Sequence, residues 1–286
     1  MSDANRKGSG PRAVVIGHPI SHSRSPLIHN YWLREAGLPG IYETADVLPE
    51  DLGEFVAAMP QAGIIGANLT VPHKELVLPI ADEIDETARL IGASNLLWFD
   101  GAGRVCVGNA DWSGFLANLD DRCPGWDDRK RTAVMFGAGG AARAAVYALL
   151  RRGFEKIYVV NRTIERTKAL IADFGDRVVA ADGPLEELLA KADFVVNSTS
   201  MGMKGGPEWT LDLKELNPDA VVHDIVYVPL LTPLLAEAQA MGNRTVDGLG
   251  MLLYGAATSF ERWFGVAPVV SAELRQLVLD DMAAKR

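Results

Sequence analysis

Thr132-Ala133-Val134-Met135-Phe136-Gly137-Ala138-Gly139-Gly140-Ala141-Ala142 decides the fold of this chain. An unbroken apolar strand, read over 131–136, runs straight into G-x-G-x-x-A and then into a helical pattern lasting to about Arg152. Gly137 permits the tight turn, Gly139 lets the backbone approach a pyrophosphate, and Ala142 lets helix and strand pack closely. Gly140 and Ala141 fall where the helix opens, and there unpaired amides and the positive end of the helix dipole favour phosphate. Together with Ala138 they make a dinucleotide-binding turn. The bare motif is weak; its strand–turn–helix setting makes it specific.

The next strand, over 156–160, ends in Asn161-Arg162-Thr163, and Arg166 follows one turn later. A site for NAD usually carries Asp or Glu at this tip, to hold the ribose 2′-hydroxyl. Two guanidiniums and two small polar side chains stand here instead, and they suit the added charge of a 2′-phosphate. The cofactor read from these residues is NADP(H). Helical patterns over 163–174 and 185–190 alternate with strands over 178–180, 194–197 and 221–224. That alternation predicts a parallel sheet with right-handed crossovers, so 113–248 is read as a Rossmann-type, doubly wound dinucleotide-binding domain.

On the N-terminal side, strands are predicted over 12–16, 40–47 and 63–69, a hairpin over 96–107, and helices over 26–36, 51–59 and 111–119. This predicts a second α/β domain over 12–112. The long apolar helix pattern over 249–264 opens a C-terminal segment, 249–286, expected to pack back on that domain. The chain is thus α/β in class, with two domains. Its 286 residues include 48% hydrophobic side chains, enough for two cores. The formal net charge of -9 argues against a nucleic-acid surface. Two cysteines fit no zinc spacing, the first ten residues lack a signal peptide's apolar stretch, and no apolar run is long enough to span a membrane. These features predict a cytoplasmic protein with no metal and a disordered tail over 1–10.

Four segments of the N-terminal half carry candidate chemistry. In His22-Ser23-Arg24-Ser25-Pro26 two hydroxyls stand at a helix start, where they bind a carboxylate or Ser25 merely caps the helix. In Asn68-Leu69-Thr70-Val71-Pro72-His73-Lys74 a lysine follows a strand end, either facing a cleft or solvated. Gly92-Ala93-Ser94-Asn95 and Gly108-Asn109-Ala110-Asp111 complete the set, the last placing a carboxylate at a helix start.

These motifs, in this order and followed by N-R-T at 161–163, N-S-T-S-M-G-M at 197–203, D-I-V-Y-V-P at 224–229 and D-G-L-G-M-L at 247–252, resemble the shikimate dehydrogenase family from about Val14 to Phe264. The resemblance implies reversible reduction of 3-dehydroshikimate to shikimate with NADPH, on a small-molecule substrate and as a monomer or homodimer. It implies that Ser23 and Ser25 bind the substrate carboxylate. Lys74 and Asp111 become the catalytic pair, Thr70 and Asn95 contact ring hydroxyls, and Tyr227 lies near the carboxylate and the nicotinamide. Thr199, Ile225, Gly248 and Met251 join the cofactor residues, the last two at the nicotinamide. Leu96, Ala110 and Gly255 depart from the family pattern, where Thr, Thr and Gln are usual. The departures predict a wider, more apolar pocket opposite part of the ring. They leave quinate, an aminoshikimate or another cyclic hydroxy acid as alternative substrates, and a non-catalytic NADP(H)-binding protein as the alternative of another class.

Overall fold

The structure, a computed structural model, describes residues 10–284. The expectation of a tail over 1–10 lies outside the described residues, Gly10 excepted. The chain divides into two compact units, one of residues 1–110 with 256–286 and the other of residues 111–255. The breaks fall at Ala110/Asp111 and Gly255/Ala256, against the expected 112/113 and 248/249.

In the first unit the chain runs β1 (Arg12–Gly17), α1 (Ser25–Glu35), β2 (Ile41–Asp46), α2 (Leu52–Ala58), β3 (Ile64–Leu69), α3 (His73–Leu76), β4 (Glu83–Ile84), α4 (Glu86–Ile91), β5 (Leu96–Phe99) and β6 (Val105–Gly108). The strands form one sheet in the order β2-β1-β3-β5-β6-β4. β1 is parallel to β2 and β3, whereas β5 is antiparallel to both β3 and β6. Successive side chains of a strand point to opposite faces, and R-A-V-V-I is apolar on both. Val14 and Ile16 join Leu52, Val56 and Met59 on one face. Ala13 and Val15 join Ile20 and Tyr42 on the other.

The second unit comprises α5 (Asp111–Arg122), β7 (Thr132–Phe136), α6 (Gly140–Arg152), β8 (Lys156–Val160), α7 (Ile164–Phe174), β9 (Val178–Ala180), α8 (Leu185–Leu189), β10 (Phe194–Asn197), β11 (Val221–Asp224), α9 (Pro233–Ala240) and β12 (Arg244–Val246). Its sheet is parallel throughout, ordered β9-β8-β7-β10-β11-β12. That is the doubly wound 3-2-1-4-5-6 order, whose switch point between first and fourth strands, here β7 and β10, marks where a dinucleotide sits. Cores lie on both faces, around Phe115, Leu149 and Phe194 on one and Phe136, Val195 and Val222 on the other.

α10 (Leu249–Phe264) leads out of the second unit, and from Ala256 the chain belongs to the first again, ending in α11 (Ala272–Ala284). The return is well anchored. Trp263 Nε1 donates to Leu97 O at 3.0 Å, and Trp32 Nε1 donates to Val269 O at 3.0 Å. Gly66 makes room for the first contact, since a Cβ there would fall 2.1 Å from Trp263 Nε1.

α3, α4, α9, β4 and β12 were not anticipated from sequence, whereas α11 falls in the C-terminal segment expected to be helical. One local expectation is corrected. Ser25 does not cap α1 but is its first residue; Arg24 precedes it and no side chain caps the helix.

Candidate functional site

The register of the first sheet gathers the N-terminal motifs at one end. β1 and β3 are parallel with Ile16 opposite Leu69, so the loops after both leave the same edge. β5 is antiparallel with Leu96 opposite Asn68, so it begins there, and β6 ends there with Gly108 opposite Leu96. Ser23 and Ser25 follow β1, Thr70 and Lys74 follow β3, Asn95 precedes β5 and Ala110 follows β6. Five sequence-predicted residues of the first unit therefore share one sheet end. Asp111, beginning the second unit, opens α5 immediately after Ala110.

Each loop is held by hydrogen bonds that the motifs themselves supply. Ser25 N donates to Ser23 Oγ at 3.3 Å. Thr70 N donates to Ile16 O, and His73 N donates back to Thr70 O, closing the turn ahead of Lys74. Burial lowers the pKa of His73, so the ring is neutral and its Nε2 donates to Val47 O at 2.8 Å. Ser94 N donates to Lys74 O at 2.7 Å, while the buried Ser94 hydroxyl donates to Gly108 O at 2.6 Å. Lys74 is thus on a braced turn, half-buried. Asn95 is also structural, since its Oδ1 accepts from Ala110 N at 2.7 Å.

Ser94 was not singled out from sequence, nor was Arg24. Arg24 Nη1 donates to His22 O at 2.8 Å, and its Nε pairs with Asp281 of α11 at 2.7 Å. The loop after β1 is thereby tied to a residue far away in sequence. Two of the departures from the family pattern, Ala110 and Gly255, lie in packed surroundings. Ala110 is completely buried. Gly255 lies in backbone contact with α5, because a Cβ on Gly114 would fall 2.8 Å from Gly255 N.

In the second unit the strand ends carry the cofactor candidates. Gly137 has φ +106, and a Cβ there would meet Ser198 Oγ at 2.5 Å, so only glycine makes the turn. At Gly139 an added Cβ would meet nothing nearer than Arg166 Nη1 at 4.0 Å. The backbone there is bare, with a guanidinium alongside. Gly139 is extended and precedes α6, whose first residues are Gly140 and Ala141. Arg162, Thr163 and Arg166 are exposed, and Asn161 Nδ2 donates to Thr163 O at 2.8 Å, shaping the tip of β8. Bare glycine backbone, helix amides and exposed guanidiniums fit a phosphorylated dinucleotide.

The remaining cofactor candidates are more internal. The Thr199 hydroxyl donates to Asn197 Oδ1 at 2.7 Å and accepts from Met201 N at 3.1 Å. Met251 is only 6% exposed and belongs to the unit's core. Gly248 lies against the Ile225 carbonyl, where a Cβ would come within 2.1 Å of the oxygen. Asp224, the first residue of the D-I-V-Y-V-P motif, organises this end. Its carboxylate accepts from Asn197 Nδ2 at 3.0 Å, Val226 N at 2.9 Å and Thr232 Oγ1 at 2.6 Å. Burial nevertheless pushes its pKa up to about 6. Half-buried Tyr227 follows on the turn that Asp224 holds. Among the described residues no group of three or more His, Cys, Asp or Glu is placed to hold a metal ion. Both cysteines are free, and among the described residues no helix is long and apolar enough to cross a membrane.

A doubly wound sheet with a bare glycine turn and arginines at the tip of its second strand defines a dinucleotide-dependent dehydrogenase class. Its partner unit gathers paired serines and a braced lysine. The chain belongs to the shikimate dehydrogenase family. The family's substrate-binding domain matches residues 15–97, and the shikimate/quinate 5-dehydrogenase domain matches residues 124–204. An NADP(+)-dependent shikimate dehydrogenase of Azorhizobium caulinodans is 51% identical over 276 residues, covering 96% of this chain and 98% of the relative. That of Rhizobium etli is 51% identical over 287 residues, covering 99% and 100%. Among solved structures, the quinate dehydrogenase of Corynebacterium glutamicum in complex with NAD superposes with a TM-score of 0.87 at 32% identity, covering 96% and 100%. The shikimate 5-dehydrogenase of Thermus thermophilus, in complex with NADP(H) and shikimate, gives 0.84 at 36%, covering 94% and 99%.

Proposed function

We propose that this protein reversibly reduces 3-dehydroshikimate to shikimate with NADPH, in the cytoplasm. The observation that carries the reading is the gathering of Ser23, Ser25, Thr70, Lys74 and Asn95 at one end of the first sheet. Two serine hydroxyls donate to the substrate carboxylate, and Thr70 with the Asn95 amide holds ring hydroxyls. NADPH supplies the hydride when bound. The carbonyl oxygen of the substrate then gains negative charge, and Lys74 meets it with a proton and a positive charge. Asp111 pairs with and aims the lysine. Tyr227 contributes at the carboxylate, and Gly248 and Met251 at the nicotinamide. In the other half Gly137 to Ala141 receive the pyrophosphate, with Thr199 and Ile225 alongside.

Steady-state reduction of NADP+ by shikimate and by quinate tests the substrate. Shikimate is expected to be the better of the two; turnover of quinate alone would overturn the assignment. Arg162 and Arg166 make the cofactor preference testable separately. Alanine at both positions should weaken NADP(H) about a hundredfold, as expected for two charge-assisted contacts of roughly 1.5 kcal/mol each, and leave NAD(H) nearly unchanged. Equal losses for the two cofactors in calorimetric titration would show that neither arginine reads the 2′-phosphate.

A further inference from the structure

Gly114, Phe115, Asn118 and Leu119 form the buried face of α5, at the three- and four-residue spacing of a helix turned inwards. Asn118 is polar and yet fully buried there. Its Nδ2 donates to Asp247 O at 2.7 Å. Its Oδ1 is buried and has no hydrogen-bond partner among the described residues. Turning the amide over would set that oxygen against the Asp247 carbonyl, so the orientation is fixed. A buried acceptor without a partner costs stability, so folding alone does not explain an asparagine at this position.

The bond lands on a stretch of backbone that is held on other sides too. The Asp247 carboxylate accepts from Leu249 N at 3.0 Å, where α10 begins. The next residue, Gly248, lies against the Ile225 carbonyl, and a Cβ there would overlap it. The Asn118 amide lies on Gly250 in the same way, and a Cβ on Gly250 would overlap Asn118 Oδ1. The two glycines of D-G-L-G-M therefore have different reasons. Gly248 admits the carbonyl that follows β11, and Gly250 admits Asn118. Gly114, one turn earlier on α5, lets the helix come this close, since a Cβ there would fall 2.7 Å from Met251 O. α5 and the chain from Asp247 to Met251 are thus packed backbone to backbone, and Asn118 is a polar tie between them.

We propose that Asn118 is a positioning residue for the nicotinamide. By holding the Asp247–Gly248 peptide against α5, it fixes where Gly248 and Met251 meet the ring that gives up hydride. The inference rests on the reading of Gly248 and Met251 as nicotinamide residues. Glycine has no side chain to place itself, so its position in the pocket is set by the backbone held behind it. α5 also opens with Asp111, about two turns before Asn118. The same hydrogen bond keeps the helix of that aspartate and the nicotinamide turn in one block. The phosphate-binding residues, read at Gly137 to Ala141 and at Arg162, lie on other elements and have no part in this contact.

The test separates the two ends of the cofactor in the full-length protein. Asn118→Leu keeps bulk over Gly250 and deletes the donor, and Asn118→Ala deletes the donor with no added bulk. In both variants, single-turnover hydride transfer from NADPH to 3-dehydroshikimate should fall about tenfold, since misplacing reacting groups by about 1 Å costs up to about a hundredfold. Affinity for 2′-phospho-ADP-ribose, which lacks the nicotinamide, and KM for shikimate should stay within about twofold. A merely structural loss would weaken binding of the fragment as well. A wild-type transfer rate in either variant, or an equal fall in fragment affinity, would overturn the role of Asn118 and leave the proposed reaction standing. Absence of hydride transfer in the unsubstituted protein would overturn the reaction, and the role of Asn118 with it.

Discussion

Replacing Lys74 by alanine should lower kcat for shikimate about a thousandfold and leave the affinity for NADP(H) within about twofold, the pattern of an interaction made in the transition state. Lys74 stands in the one-turn helix α3, whose backbone is fixed by bonds through Thr70, His73 and Ser94. Asp111→Ala should cost nearly as much, if its task is to pair and orient that ammonium. The double variant should be little worse than the worse single one, because residues acting as one unit do not add. Single-turnover kinetics on the three variants checks this. Additive losses would mean that the lysine and the aspartate work independently, and an intact single-turnover rate in Lys74→Ala would remove the lysine from the chemistry.

Acid should unfold the first unit before the second, and His29 is the reason. Burial lowers its pKa from 6.5 to about 3, against a weaker opposing pull from the Asn68 side chain. A histidine whose folded pKa is depressed contributes stability above its unfolded pKa and loses it as pH falls. The loss is about 1.4 kcal/mol per pH unit between 6.5 and about 3. The second unit has a compensating pair. His223, buried and donating to Val246 O, has its pKa lowered to about 4 and destabilises in the same direction. Asp224, raised from 3.8 to about 6, is favoured protonated, so it regains stability as pH falls from about 6 towards 3.8. The two shifts nearly cancel, whereas nothing comparable offsets His29 among the shifted groups of the first unit. Urea unfolding from pH 6.5 to pH 4 should show the first unit losing about 3 kcal/mol. His29→Phe, which keeps an aromatic ring beside Tyr42, should flatten most of that slope. Equal slopes in the two proteins would assign the acid sensitivity elsewhere.

What the sequence made legible is what repeats locally. β8 and α10 were read with their observed ends, because a five-residue apolar strand and a long apolar helix carry their own period. The glycine turn was legible because its conformation admits so few residues. α4 and α9 had readable starts that were overlooked. Asp85 accepts from Ala88 N at 2.6 Å, and Thr232 accepts from Leu235 N at 3.3 Å with Pro233 behind it. Ser25 misled because a hydroxyl at a helix start usually serves as the cap, whereas Ser25 is already the first helical residue and no side chain caps α1. Other features had no local signature at all. The pairing of Arg24 with Asp281 and the bond from Asn68 to Ser259 join residues that only the return of α10 and α11 to the first unit brings together. The packed settings of Ala110 and Gly255 depend on backbone approach, which residue types at matched positions do not disclose.

The most direct test of the whole account is hydride transfer itself. The purified protein, mixed with NADPH and 3-dehydroshikimate, should consume NADPH fluorescence in step with the appearance of shikimate. NADH in its place should react far more slowly. Absence of NADPH oxidation with 3-dehydroshikimate, in protein that binds NADPH tightly by calorimetry, would contradict the account and leave a cofactor-binding protein without this reaction.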